Sequence, residues 1–118
     1  MRNEYDDFAL LYDMLDSARA VKDMMVGITL ENYTNDRRTR RAVEREIEII
    51  GEAARKVSDS FKANHPEIPW RRIIGQRHKL AHEYGEIQHE ILYQVAIKHI
   101  PELIFLLEPL IPPLPLDE

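Results

Sequence analysis

One run of the chain, R-H-K-L-A-H-E-Y from Arg77 to Tyr84, sets a permanent cation, two histidines and a phenol within about two helical turns. Histidine both gives and takes a proton near neutral pH. An arginine nearby can hold the negative charge that develops on a phosphate oxygen as a bond breaks. Together, Arg77 and His82 suffice for metal-free cutting of RNA. The histidine draws the proton from a ribose 2'-hydroxyl, that oxygen attacks the adjacent phosphorus, and the arginine steadies the charge. The product is a 2',3'-cyclic phosphate.

Spacing complicates the picture. Positions five apart on an ideal helix lie about 140° apart around the axis, so Arg77 and His82 do not converge by themselves. Either the last turn before Gly85 loosens, or a two-fold dimer brings two copies together; the dimer also accounts for an arginine on an apolar stripe. That stripe holds Trp70, Ile73, Ile74, Ala81 and Tyr84, with Arg77 in its middle. Two other readings stay open. A histidine at a helix C-terminus often only stabilises the dipole. His78 and His82 have the four-residue spacing of a zinc pair, but this is not H-E-x-x-H, and a third ligand would have to come from Glu86 or His89.

A helix from Trp70 to Gly85 must carry these groups. Pro69 suits its start, Gly85 suits its stop, and Gly75 interrupts it at a penalty of about 1 kcal/mol against alanine, which suggests close approach by another backbone or a ligand. Upstream, Phe8, Leu11, Leu15 and Ala18 predict an amphipathic helix from about Tyr5 to Met25, ended by Gly27 and the weak helix formers through Asn35. A second helix is capped by Asn35 or Asp36 and runs to about Ser58, with Val43, Ile47, Ile50, Ala54 and Val57 as its seam. Residues 59–69 read as an extended connection. A last apolar stretch starts near Ile87, and Pro101 either kinks it or opens a further short helix. The expected fold is all-α, an antiparallel bundle of four or five helices over residues 1–110, followed by a proline-rich tail at 111–118.

Composition narrows the class. The 118 residues fit one domain, and 44% hydrophobic with 31% charged residues fits a globular chain. Cysteine is absent, which removes disulfides and thiolate chemistry and suits a reducing cytoplasm. No apolar run reaches membrane-spanning length, so a soluble cytoplasmic protein is expected. Net charge is −5, yet Arg38, Arg41 and Arg45 share one helix face. They form either a solvated face partly paired with Glu44, Glu46 and Glu48 or a surface for RNA phosphates.

The run Arg77 to Tyr84 matches the R-x4-H-x-Y motif of the HepT-like toxins, a branch of the HEPN-domain ribonucleases. R-A-V-E-R-E-I-E-I-I-G-E-A-A (Arg41 to Ala54), H-P-E-I-P-W (His65 to Trp70) and I-I-G-Q-R also resemble that family's pattern in its order, so the likeness covers nearly the whole chain. It implies an all-α HEPN bundle that dimerises with the two motifs facing a shared cleft. It also implies a metal-independent endoribonuclease without a cofactor, with Arg77 and His82 catalytic. Such proteins are toxins of two-gene, type VII-like toxin–antitoxin systems that act on tRNA or mRNA. The antitoxin, a minimal nucleotidyltransferase, silences them by moving AMP from ATP to the motif tyrosine, here Tyr84. Phosphate charge beside Arg77 would occupy the arginine and repel RNA. The chain departs from the pattern at His78, where a small polar residue, often asparagine, is usual; the histidine either assists proton transfer or only bonds the helix. The alternative expectation is a catalytically inactive HEPN-like module that binds RNA or its partner.

Overall fold

The computed structural model describes residues 4–82 and 86–112, with side chains for 6–76 and 89–112. In chain order the elements are α1 (Glu4–Met24), α2 (Leu30–Asn35), α3 (Arg37–Lys56), α4 (Asp59–Asn64), α5 (Trp70–His82), α6 (Glu86–Gln94), a π-helical turn (Val95–His99), α7 (Ile100–Leu107) and a 3-10 turn (Glu108–Leu110). The described residues contain no strand. The bundle is all-α, as the periodicity predicts.

The apolar seams build the core. Leu11, Leu15 and Ala18 of α1 are buried, joined by Met14 and Val21, and α1 packs against both α3 and α7. Every member of the α3 seam, from Val43 to Val57, is buried. Asp36 is the α3 cap, its carboxylate accepting from the Thr39 backbone N–H at 3.1 Å. The Thr39 hydroxyl bonds the same carboxylate and, with the N–H, holds its pKa below the usual aspartate value.

Two short helices replace segments expected to be irregular. After α1, Gly27 adopts φ +72° and turns the chain, then Thr29 caps α2 by accepting from the Asn32 N–H at 3.1 Å. The reason α2 forms is tertiary: Tyr33 is fully buried, its ring 5.7 Å from that of Tyr93, while the Tyr93 hydroxyl donates to the Ile28 carbonyl at 2.8 Å. Burial pushes the Tyr33 hydroxyl pKa up. The second correction is α4, which begins the connection expected to be extended. Ser58 caps it by accepting from the Phe61 N–H at 3.2 Å, and Ser58 is itself held by the buried Asp7 of α1 through its N–H at 2.8 Å and its hydroxyl at 2.6 Å. Only residues 65–69 remain as a turn.

Pro101 does open a short helix, α7, but the preceding junction is a π-helical turn rather than a kink. The end of the expected tail, 113–118, lies outside the described residues, and Glu108–Leu110 before it forms a 3-10 turn. Among the described residues, no helix is long and apolar enough to cross a membrane.

Candidate functional site

The helix that carries the motif is anchored at its first residue. Trp70 is 9% exposed, its indole N–H donates to the His65 carbonyl at 2.9 Å, and its ring meets Phe61 edge-on at 6.3 Å. Phe61 in turn stacks on the His65 imidazole at 4.3 Å, and His65 Nδ1 lies 3.1 Å from the Glu67 carboxylate. That carboxylate bonds its own backbone N–H and the imidazole, and both lower its pKa. This knot of α4 and the 65–69 turn fixes where α5 begins.

From there α5 runs back along α3. Ile47 and Ile50 of α3 meet Ile73 and Gln76 of α5 around a small cavity, while α4 and its turn join the end of α3 to the start of α5. The N-terminal half of α3 therefore lies alongside the C-terminal half of α5, but Arg38, Arg41 and Arg45 stand about 120° or more around α3 from Ile47 and Ile50, on the side turned away from that contact. Arg38 and Arg41 are exposed. Arg45 is exposed too, with its guanidinium 3.7 Å from the Glu48 carboxylate. Of the other two glutamates expected to pair with this face, Glu46 instead accepts from the buried Ser17 hydroxyl at 3.3 Å.

The backbone of α5 is regular α-helix through His82. Positions 77, 78 and 82 therefore sit on one continuous helix, with 77 and 82 about 140° apart around it. No loosened turn joins them before residue 82. Position 77 follows the buried Ile73 by one turn, on the side that faces α3. Position 82 follows Gly75 by seven residues, within about 20° of the same face. The side chains of Arg77, His78 and His82, all of Tyr84 and the helix stop at Gly85 lie outside the described residues. Glu86 of the open zinc reading lies there too as a side chain; His89 has a buried Nδ1 with no hydrogen-bond partner among the described residues, which hold no group of three or more metal-ligating side chains.

Beside α5 the structure opens a groove of about 1150 Å³, walled by the 66–69 turn, the first half of α5, and α6 with the π turn. Ile68 and Val95 are buried in its floor, and Ile91 is 42% exposed. Arg71 and Arg72 stand exposed on its α5 wall with no ion-pair partner among the described residues, and Gly75 and Gln76 continue that wall. His99, carried in by the π turn, lines the opposite side; its Nδ1 has no hydrogen bond, and the Glu102 carboxylate stands 3.7 Å away. Sequence reasoning did not single out Arg71, Arg72, Gln76 and His99, which the fold brings to this groove. The available signal was Gly75: a Cβ placed there meets nothing within 4 Å, so no backbone among the described residues requires the glycine.

Comparison with known proteins points the same way as the motif. The family described as Ribonuclease HepT-like matches residues 14–110. A Methanocaldococcus jannaschii protein carrying a provisional RNase name is 33% identical over 103 residues, which covers 87% of this chain and 85% of the relative. A Thermococcus cleftensis protein named as a probable ribonuclease HepT is 34% identical, covering 87% of this chain and 92% of its own length. A Caldanaerobacter subterraneus protein, again with a provisional RNase name, is 36% identical over 79% of this chain and 83% of its own length. No solved structure matches the chain.

Proposed function

The chain belongs to the HepT-like ribonuclease family, and from that premise we propose that it is a metal-independent endoribonuclease in which Arg77 and His82 act on the scissile phosphate. The observation that carries this reading is the family match over residues 14–110, which spans the R-x4-H-x-Y run from Arg77 to Tyr84. His82 takes the proton of the ribose 2'-hydroxyl as its oxygen bonds to phosphorus, and the 5'-oxygen of the next nucleotide leaves with a proton returned by a histidine. Arg77 holds the charge on the non-bridging oxygens. His78, next to the arginine, is the auxiliary candidate for that proton return.

The angle between positions 77 and 82 supports a homodimer. One protomer's backbone turns them about 140° apart, so a two-fold pair of α5 helices can set the arginine of one copy toward the histidine of the other. Of the three arginines on the outer face of α3, Arg38 and Arg41 are the candidates for holding RNA phosphates outside the cleft, whereas Arg45 has Glu48 beside it. The finer reading is a type VII-like toxin that cleaves tRNA or mRNA in the cytoplasm and is silenced when a minimal nucleotidyltransferase antitoxin places AMP on Tyr84. The family match and the tyrosine of the R-x4-H-x-Y motif support it.

The test is RNA cleavage with EDTA present, on tRNA and total RNA, after an intact mass shows Tyr84 unmodified. Wild type should cut, and Arg77→Ala and His82→Ala should each lose about a hundredfold or more. Intact RNA with unmodified wild type, or variants that cut as well as wild type, would overturn the assignment and leave a binding module.

A further inference from the structure

The groove beside α5 has no assigned occupant, and three of its features point to one. The first is Gly75. A glycine inside a helix destabilises it by about 1 kcal/mol relative to alanine, and the place where its Cβ would stand is open groove. No described residue explains the glycine, whereas a ligand lying against the helix backbone does. The second is charge. Arg71 and Arg72 stand on the wall without ion-pair partners among the described residues, and Glu90 on the α6 wall is the one carboxylate among the described lining residues, in a chain of net charge −5. The third is the floor. Ile91, 42% exposed, with Pro66 and Pro69 above the buried Ile68 and Val95, gives an apolar surface that an unstacked base can cover. Gln76 and His99 add side chains that can both donate to and accept from base edges.

A second copy of the chain fits less well. A two-fold contact centred on this groove would offer each copy, among the described residues, one lining carboxylate, Glu90, for two arginines. Phosphates complement them instead.

We infer that this groove seats a single-stranded segment of the RNA substrate next to the cleaved bond. Arg71 and Arg72 hold its phosphates, Gly75 marks the closest approach of its backbone to α5, and Gln76 and His99 contact its bases. This rests on the ribonuclease reading above and deepens it. The register of α5 gives the direction: the groove face at Gly75 recurs at position 82, two turns on, so a strand in the groove leads toward the histidine's side of the helix.

The experiment measures binding without cleavage. The full-length chain is titrated, by fluorescence anisotropy, into a short labelled random-sequence single-stranded RNA whose 2'-oxygens are methylated. Gly75→Leu, which fills the groove, should weaken binding about tenfold or more. Arg71→Ala combined with Arg72→Ala should weaken it to a similar degree and flatten the salt dependence by about 1.4 log units per log unit of salt, roughly 0.7 for each phosphate that is no longer neutralised. The arginine pair is exposed, so that variant serves even if Gly75→Leu unfolds. Wild-type affinity in both variants, or no binding of single-stranded RNA by wild type at low salt, overturns the proposal. So does a shift from dimer to monomer in sedimentation with RNA affinity per protomer unchanged, which would make the groove a contact between copies. Because no bond is cut, the two readings fail separately. A protein that cleaves RNA with unaffected groove variants loses only the groove, and one that binds through the groove without cleaving loses only the Arg77 and His82 chemistry.

Discussion

Two hollows on this molecule are both lined with basic side chains, and they differ in what those side chains face. The smaller, about 370 Å³ between α1 and α3, holds Arg45 and Lys56, and each has a carboxylate at hand: Glu48 at 3.7 Å and Glu52 at 3.6 Å. Glu52 also takes Arg55 at 2.7 Å. The larger, about 1150 Å³ beside α5, holds Arg71 and Arg72 with no ion-pair partner among the described residues. Exposed pairs of the first kind contribute little to stability and leave little net field for a ligand. The second sets two arginines without an ion pair among the described residues against one lining carboxylate, Glu90, and so leaves net positive charge over an apolar floor. Arginine content alone does not distinguish the two surfaces; the neighbouring carboxylates do.

Charge reversal sharpens the contrast most. Arg71→Glu with Arg72→Glu should lower kcat/KM for RNA cleavage by about a hundredfold, since each change takes a cation away from a phosphate and puts repulsion in its place, whereas Lys56→Glu should change it by less than about threefold. Equal effects would erase the distinction. Next in size is a change on the closed side of the bundle. Asp7 is 3% exposed and holds Ser58 through two hydrogen bonds, so Asp7→Ala should destabilise the fold by about 2–3 kcal/mol in chemical denaturation while RNA cleavage at low temperature persists.

A smaller effect of opposite sign is expected on the open side. Gly75→Ala should stabilise the free protein by about 0.5–1 kcal/mol, because the added methyl meets nothing and the unfolded chain loses freedom. A loss of stability would mean that the helix needs glycine for its own packing. Smallest is the pH response of the α3 cap. The Thr39 hydroxyl and N–H lower the pKa of Asp36 in the folded state, so its contribution is full above the ordinary aspartate pKa and is lost as pH falls through the lowered one. Between about pH 6 and pH 3 the melting temperature of wild type should fall slightly more than that of Asp36→Asn, which keeps a capping oxygen without the titration.

The seams were legible because each is periodic: Leu11, Leu15 and Ala18 on α1, and Val43 through Val57 on α3, announce buried faces without help from the rest of the chain. The short helices were not. In α2, Asn32, Tyr33, Thr34 and Asn35 are weak helix formers, and the segment is helical because Tyr33 has a cavity to fill against Tyr93. In α4 the decisive bonds run from Ser58 to Asp7, fifty-one positions earlier, a pairing no local pattern contains. The motif from Arg77 to Tyr84 could be read directly, whereas the groove could not. Its walls come from the first half of α5 and from the stretch between Glu90 and His99, and that histidine enters through a π turn that leaves no mark in the sequence. Gly75 alone hinted at it.

The π turn has a further consequence for how this protein can change over time. A π turn holds one residue more than the α-helical turn it replaces. Removing one residue between Val95 and His99 would let the backbone relax to ordinary α-helix, with α6 and α7 keeping their phase and their buried faces. The groove's far wall would lose its histidine, while Leu92, Ile100 and Leu103 could stay in register with the core. A one-residue deletion, ordinarily ruinous inside a helix, becomes here a switch between two versions of a surface, so descendants can diversify the groove while inheriting the same bundle.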